Sequence, residues 1–142
     1  MIVPDVNLLV YAHDTQSPFH DRARRWWEDA LSGQRSVGVA WVAALGFIRI
    51  TTNARIVHRA VPVNEACAAV RAWLGRRNVA VLHPGERHAE LLFGLIEQLG
   101  AGANLTTDAH LAALAIEYQA ELQSNDADFS RFSGLRWRNP LK

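Results

Sequence analysis

The sequence predicts an α/β fold of three layers, α/β/α, around a central and mainly parallel sheet. Short apolar runs alternate with helical patterns along almost the whole chain, the signature of strands joined by crossover helices. No repeat, low-complexity tract or Pro/Gly linker divides the 142 residues, so residues 1–142 read as a single domain. The third observation is where the acids fall: several follow strands or open a helix, and a parallel sheet gathers such positions at its carboxyl edge.

Ile2-Val3 is a short first strand ending at Pro4-Asp5, and Asn7 to Ala12 can begin a helical turn. Ser17-Pro18 reads as an N-cap followed by proline at the first helical position. That helix carries Ala23, Trp26, Trp27, Ala30 and Leu31 on one apolar face and closes at Gly33. A strand at 36–40, helices at 41–52 and 63–74, a strand at 78–82 and a helix at 86–99 follow. Thr106 or Thr107 is positioned to cap a helix from Asp108 to about Gln119, whose alanines (Ala109, Ala112, Ala113, Ala115) permit close packing on a sheet. Strands at 121–124 and 135–138 flank the acidic loop Asn125-Asp126-Ala127-Asp128.

Composition excludes more than it assigns. Hydrophobic residues at 49% and charged residues at 20% are ordinary for a globular protein. The single cysteine, Cys67, cannot form an internal disulfide and reads as a small buried hydrophobe. No apolar run is long enough to span a bilayer, and Met1 to Asp5 lacks a basic leader, so a cytoplasmic location is expected. The net charge of +1 does not announce a nucleic-acid binder. All the basic residues except Lys142 are arginine, which suits bidentate phosphate contacts.

Most acids sit on helices as solvated decoration. Asp5, Asp108, Asp126 and Asp128 occupy turns or a helix start, delivered by three separate segments. Singly, each has an ordinary explanation: Asp5 as a turn former, Asp108 as a favourable charge at a helix N-terminus, Asp126 as an Asx-turn residue, Asp128 solvated beside Arg131. Jointly those explanations must place acids at one sheet edge independently. Clustered carboxylates raise one another's pKa, and a hard divalent cation such as Mg²⁺ relieves that cost. Such a cation can polarise a phosphoryl oxygen and activate water, so the chemistry suggested is phosphodiester hydrolysis.

The same segments resemble the PIN-domain ribonucleases, in particular the VapC-type toxins of VapBC toxin–antitoxin pairs. Ile2-Val3-Pro4-Asp5-Val6-Asn7 resembles that family's opening block. Leu105-Thr106-Thr107-Asp108-Ala109-His110 resembles its third, and Ser124-Asn125-Asp126-Ala127-Asp128-Phe129 its fourth. The tail from Phe132 to Leu141 is also similar. The resemblance implies a PIN-like fold and a Mg²⁺-dependent endoribonuclease, with Mn²⁺ a possible substitute, in which metal-activated water attacks RNA in line. It further implies a homodimer and a VapB-like antitoxin whose tail covers the active site. Carried over by position, Asp5, Asp108 and Asp126 would be metal ligands and Asp128 an auxiliary catalytic acid. Asn7 and Ser124 would orient carboxylates or waters.

One departure matters. The family's second block commonly supplies a glutamate from the helix corresponding to 41–52, yet no Asp or Glu occurs between Ala30 and Asn64. The aligned positions are Gly46 or Val42, neither able to bind metal. The alternative reading is therefore a catalytically impaired module that binds antitoxin or RNA without cleavage. A phosphoaspartyl hydrolase would need a second Asp where Asn7 stands, and a receiver domain would need a late lysine other than the terminal Lys142.

The six histidines are scattered, with no His-x-x-x-His pair, and are expected to pack or face solvent. Trp26, Trp27, Trp41 and Trp73 fall in apolar helix patterns, suggesting core or dimer contacts, and Trp137 is expected to pack on the last strand. Arg49, Arg55 and Arg59 could line a phosphate path, form a solvated face or belong to the antitoxin interface.

Overall fold

The computed structural model describes residues 1–100 and 102–142. Five strands, β1 (Ile2–Pro4), β2 (Val37–Ala40), β3 (Val79–Leu82), β4 (Glu121–Gln123) and β5 (Arg136–Arg138), form one sheet in the order β3-β2-β1-β4-β5. Every pairing is parallel. Six helices connect them: α1 (Val6–His13), α2 (His20–Ser32), α3 (Trp41–Thr51), α4 (Val63–Leu74), α5 (His88–Leu99) and α6 (Leu105–Glu117). A 3-10 turn at Ala127–Arg131 precedes β5. Among the described residues no helix is long and apolar enough to cross a membrane.

Strand alternation divides the core. Val3, Leu82 and Leu122 point to one face, where α5, α6 and the 3-10 turn contribute Leu95, Leu111, Leu114, Phe129 and Phe132. Val37 and Val39 point to the other, against Leu9, Trp27, Phe47 and Trp73 of α1, α2, α3 and α4. Trp27 and Phe47 each meet Trp73 edge-on, at centroid separations of 5.4 and 4.6 Å. The alanines of α6 are fully buried, which lets its backbone lie close to the sheet.

The chain winds outward from β1 to β3, then returns to lay β4 on the other side of β1. The connection therefore reverses direction between β1 and β4, opening a crevice at their carboxyl ends. Because α6 leads into the parallel strand β4, it runs against the strand direction, and its first turn lies at that same edge.

Several sequence expectations shift at this level. The last alanine-rich helix starts at Leu105 with Asn104 before it, so neither Thr106 nor Thr107 caps it, and Asp108 falls within the first turn. It ends at Glu117, where Gln119 adopts a positive φ of 54° to turn into β4. Ser17-Pro18 forms a turn in which Ser17 Oγ accepts the Phe19 N–H at 3.1 Å, and α2 starts only at His20. α1 is a full helix, because the Asp5 carboxylate caps it. α5 starts at His88, and β4 stops at Gln123, leaving Ser124 just past the strand. Cys67 is half-buried. Trp41 does not enter the core: it is 47% exposed.

Candidate active site

The site begins with what each element must satisfy. Asp5 follows β1 in extended conformation, and its Oδ1 accepts the Val6 N–H at 2.7 Å, closing the first turn of α1. Its Oδ2 accepts the Ser124 hydroxyl at 2.7 Å. Each carboxylate oxygen keeps a second lone pair free. Asp5 is only 7% exposed, so these bonds hold it in one orientation.

Ser124 is the hub. Fully buried, its Oγ donates to Asp5 and accepts from Asn7 Nδ2 at 3.2 Å and from the Asp126 N–H at 2.9 Å. Its backbone is also fixed, with N–H donated to Arg138 O at 3.1 Å and O accepting Trp137 Nε1 at 3.1 Å. Trp137 thus packs on the final strand, as the sequence suggests. Asp126 Oδ1 accepts the Asp128 N–H at 2.9 Å, which makes Asp126 the Asx-type cap of the 3-10 turn. That structural role and a role at the site are compatible, since one oxygen is used and the other is not.

The carboxylates sense one another. Burial pushes the Asp5 carboxyl above its usual range, a rise opposed by the bonds from Ser124 and Val6 and reinforced by the charge of Asp126. Asp108 is pushed up to about 6, first by burial and then by the negative charges of Asp5, Asp126 and Asp128. Four acids from three segments therefore share one electrostatic neighbourhood. Asn7 and Ser124 lie between Asp5 and Asp126, where they brace both. Among the described residues no three His, Cys, Asp or Glu side chains converge into a ready-made metal cage. The donor set still suits a small hard cation that keeps most of its waters and takes one or two carboxylates directly.

Gly46 explains the missing glutamate. A Cβ placed there would sit 2.8 Å from Val6 Cγ2, in the contact between α1 and α3. Val6 is β-branched, with little rotamer freedom to move aside in a helix. Val42 instead packs against the core of the α5–α6 face. Gly46→Ala is accordingly expected to destabilise the fold by roughly 1–3 kcal/mol through overpacking; an unchanged urea midpoint would show that α1 and α3 separate freely.

The structure adds a feature the sequence does not signal. His88 Nε2 and His110 Nδ1 lie 2.9 Å apart across the α5–α6 contact, with rings edge to face. Burial and then His88 lower the His110 pKa, which favours its neutral form, and the pair joins α5 to α6. No sequence spacing could have revealed it, because the partners are on different helices.

A PIN-domain family model matches residues 2–135. The chain belongs to the PIN-domain family. Among its relatives are ribonuclease VapC33 of Mycobacterium tuberculosis, 46% identical over 142 residues, covering 100% of this chain and 99% of the relative. Ribonuclease VapC37 of the same species is 43% identical over 140 residues, covering 99% and 97%. These place the chain with the VapC proteins. Of solved structures, VapBC2 from Rickettsia felis bound to a promoter DNA fragment aligns with a TM-score of 0.71 at 17% identity, covering 98% of both chains. Mycobacterium tuberculosis VapC20, a sarcin-ricin-loop-cleaving toxin, aligns at 0.69 with 19% identity, covering 96% and 99%. At such identities these two support the fold alone.

Proposed function

We propose that this chain is the toxin of a VapBC-type pair, a divalent-metal-dependent endoribonuclease with Asp5, Asp108 and Asp126 as the metal-holding residues and Asp128 assisting. The observation that carries the reading is the buried Ser124 hydroxyl joining Asp5 to Asp126 at the carboxyl edge of the sheet, with Asp108 in the first turn of α6 at the same edge. An edge that gathers four carboxylates is destabilised by itself and relieved by a cation. Mg²⁺, or Mn²⁺ in its place, would supply neutralising charge and activation of water against an RNA phosphodiester. The chain's own residues prepare for it. Ser124 and Val6 aim Asp5, Ser124 ties Asp126 to it, and Asn7 fixes Ser124 in turn. Asp128, with no hydrogen bond to its carboxylate among the described residues, is free to meet substrate or water.

A VapB-like antitoxin is the proposed partner. An apolar cleft of about 440 Å³ opens beside Asn7, lined by Val6, Val10, Tyr11, Ile50 and Ile56, and suits an antitoxin tail approaching the site. Trp41 and Leu45, exposed one turn apart on α3, are suited to contact with a second copy in a homodimer. A cytoplasmic location fits these assignments.

The second reading, a module that binds without cutting, is favoured by Gly46, which supplies no ligand and no room for one. Purified protein incubated with a mixed RNA pool in Mg²⁺, Mn²⁺ or EDTA separates the two. Cleavage that EDTA abolishes is expected. Folded protein that leaves every RNA intact in either metal would move the assignment to the binding module.

A further inference from the structure

The sheet face that holds Val37 and Val39 is covered only in part. Strand register puts Ile2, Glu121 and Arg136 side by side on it, and likewise Gln123 beside Arg138. Over β3, β2 and β1 this face is apolar and roofed by helices. Over β4 and β5 it turns polar, and α2 only overhangs it. A cavity of about 570 Å³ remains there, running from Ile2 and Arg35 at the amino ends of the strands to Gln123 and Arg138 at their carboxyl ends.

Its walls carry four guanidinium groups, Arg22 and Arg25 from α2, Arg35 before β2 and Arg138 of β5, against one lining carboxylate, Asp29. Arg25 has no carboxylate within ion-pair distance among the described residues. Arg35 and Arg138 share Glu121 at 3.7 and 4.0 Å, long contacts whose guanidinium ends are exposed and can turn to a phosphate. The floor is rigid: Gln123 is 1% exposed and its Oε1 accepts Trp26 Nε1 at 2.7 Å. The carboxyl end of the cavity lies at the same sheet edge as the acidic site: Gln123 ends β4 and Arg138 ends β5, and the Ser124 N–H just past β4 donates to Arg138 O.

We propose that this cleft is a track for the phosphate backbone of single-stranded RNA, leading to the sheet edge that holds the acidic site. A row of guanidinium groups beside a carboxylate cluster gives RNA opposite environments at two adjacent stations: cation-assisted chemistry at the acids, and charge-assisted phosphate binding beyond them. A cleft this small admits one strand and not a duplex. Arginine along it positions the chain without reading bases. The inference rests on the ribonuclease reading for its substrate class.

The test measures binding apart from cleavage. In an Asp5→Asn background, anisotropy of a labelled single-stranded oligoribonucleotide is followed across a salt series at fixed Mg²⁺. Arg25→Ala/Arg138→Ala is compared with Arg71→Ala, an exposed arginine on α4 outside the cleft. The cleft variant is expected to lose roughly tenfold in affinity. Its slope of log affinity against log salt should flatten by about 1.4, two single-strand phosphate contacts. Arg71→Ala should leave both unchanged. Equal affinity and slope in the two variants overturns the track, as does the absence of RNA binding at any salt. Weakened antitoxin binding with unaltered RNA binding also overturns it, and makes the cleft a protein interface. If arginine-dependent RNA binding persists while the unmodified chain cuts nothing, the track stands and the ribonuclease reading falls. If EDTA-sensitive cutting occurs while the cleft variant binds RNA normally, only the track falls.

Discussion

Asp5→Asn/Asp108→Asn is expected to lose RNA cleavage by more than about 100-fold, exceeding the cost of removing a residue that merely braces a ligand. Asp108→Asn alone, which leaves the α1 cap and the Asp5–Ser124 bond in place, should make the metal-free fold more stable at neutral pH. Asp108 titrates near 6 when folded and near 3.8 otherwise, so the folded state holds its proton more tightly. The stability this contributes is complete below about pH 4 and is lost as pH rises through about 6. Above that, the ionised group penalises the fold. Because Asp108 is half-buried, solvent screening holds its share to roughly 1 kcal/mol, or about 3 °C in melting temperature for a domain of this size. Melts without metal should therefore show this single variant above the unmodified chain at neutral pH, with the gap closing near pH 4. Added Mg²⁺ or Mn²⁺ should raise the melting temperature of the unmodified chain alone. A variant that melts lower at neutral pH would mean that the acids support the fold rather than strain it, and the metal assignment would lose its basis.

Ser124→Ala should move activity and stability in the same direction. The hydroxyl joins Asp5, Asn7 and the Asp126 backbone in a buried position, and its removal leaves the Asp5 carboxylate half unsatisfied. A loss of about 1–3 kcal/mol follows from the stranded buried groups. Cleavage should fall roughly 10–100-fold, the usual consequence of freeing a ligand from its support. Removing the hydrogen bond that holds the Asp5 carboxyl down also raises its pKa further, so the acid limb of the pH–rate profile should shift to higher pH. A stability loss with an unshifted acid limb would reduce Ser124 to a packing residue. Asn7→Ala should act in the same direction and more weakly, since it removes one contact to the hub and not the hub itself.

Local chemistry made much of this legible in advance. Alternating apolar runs and helical faces are short-range patterns, and they carried the α/β class and most of the elements, with boundaries moved by a few residues. The acids stood out for the same reason, since Asp5, Asp126 and Asp128 follow strands within the chain itself. Thr106 and Thr107 suggest a cap for the Asp108 helix, whereas the backbone turns into that helix after Asn104 with no side-chain cap at all. The apolar pattern of α3 leaves Trp41 open to core or dimer contact; only packing decides which side of such a helix meets solvent, and it leaves Trp41 exposed.

By itself the sequence determined the class of fold, the identity of the acids and the absence of the second-block glutamate, since each is written in residue type and spacing. The tertiary structure decided what those residues meet. Strand order put Asp5 beside Ser124 across 119 positions of chain. The contact of α1 with α3 left no space for a side chain at Gly46. Strand register and the reach of α2 left an arginine-lined cleft on half of one sheet face. The reason is the range of the interactions: propensity and capping act over a few residues and can be read along the chain, whereas burial, repulsion between charges and steric exclusion act between segments that only the folded topology brings together.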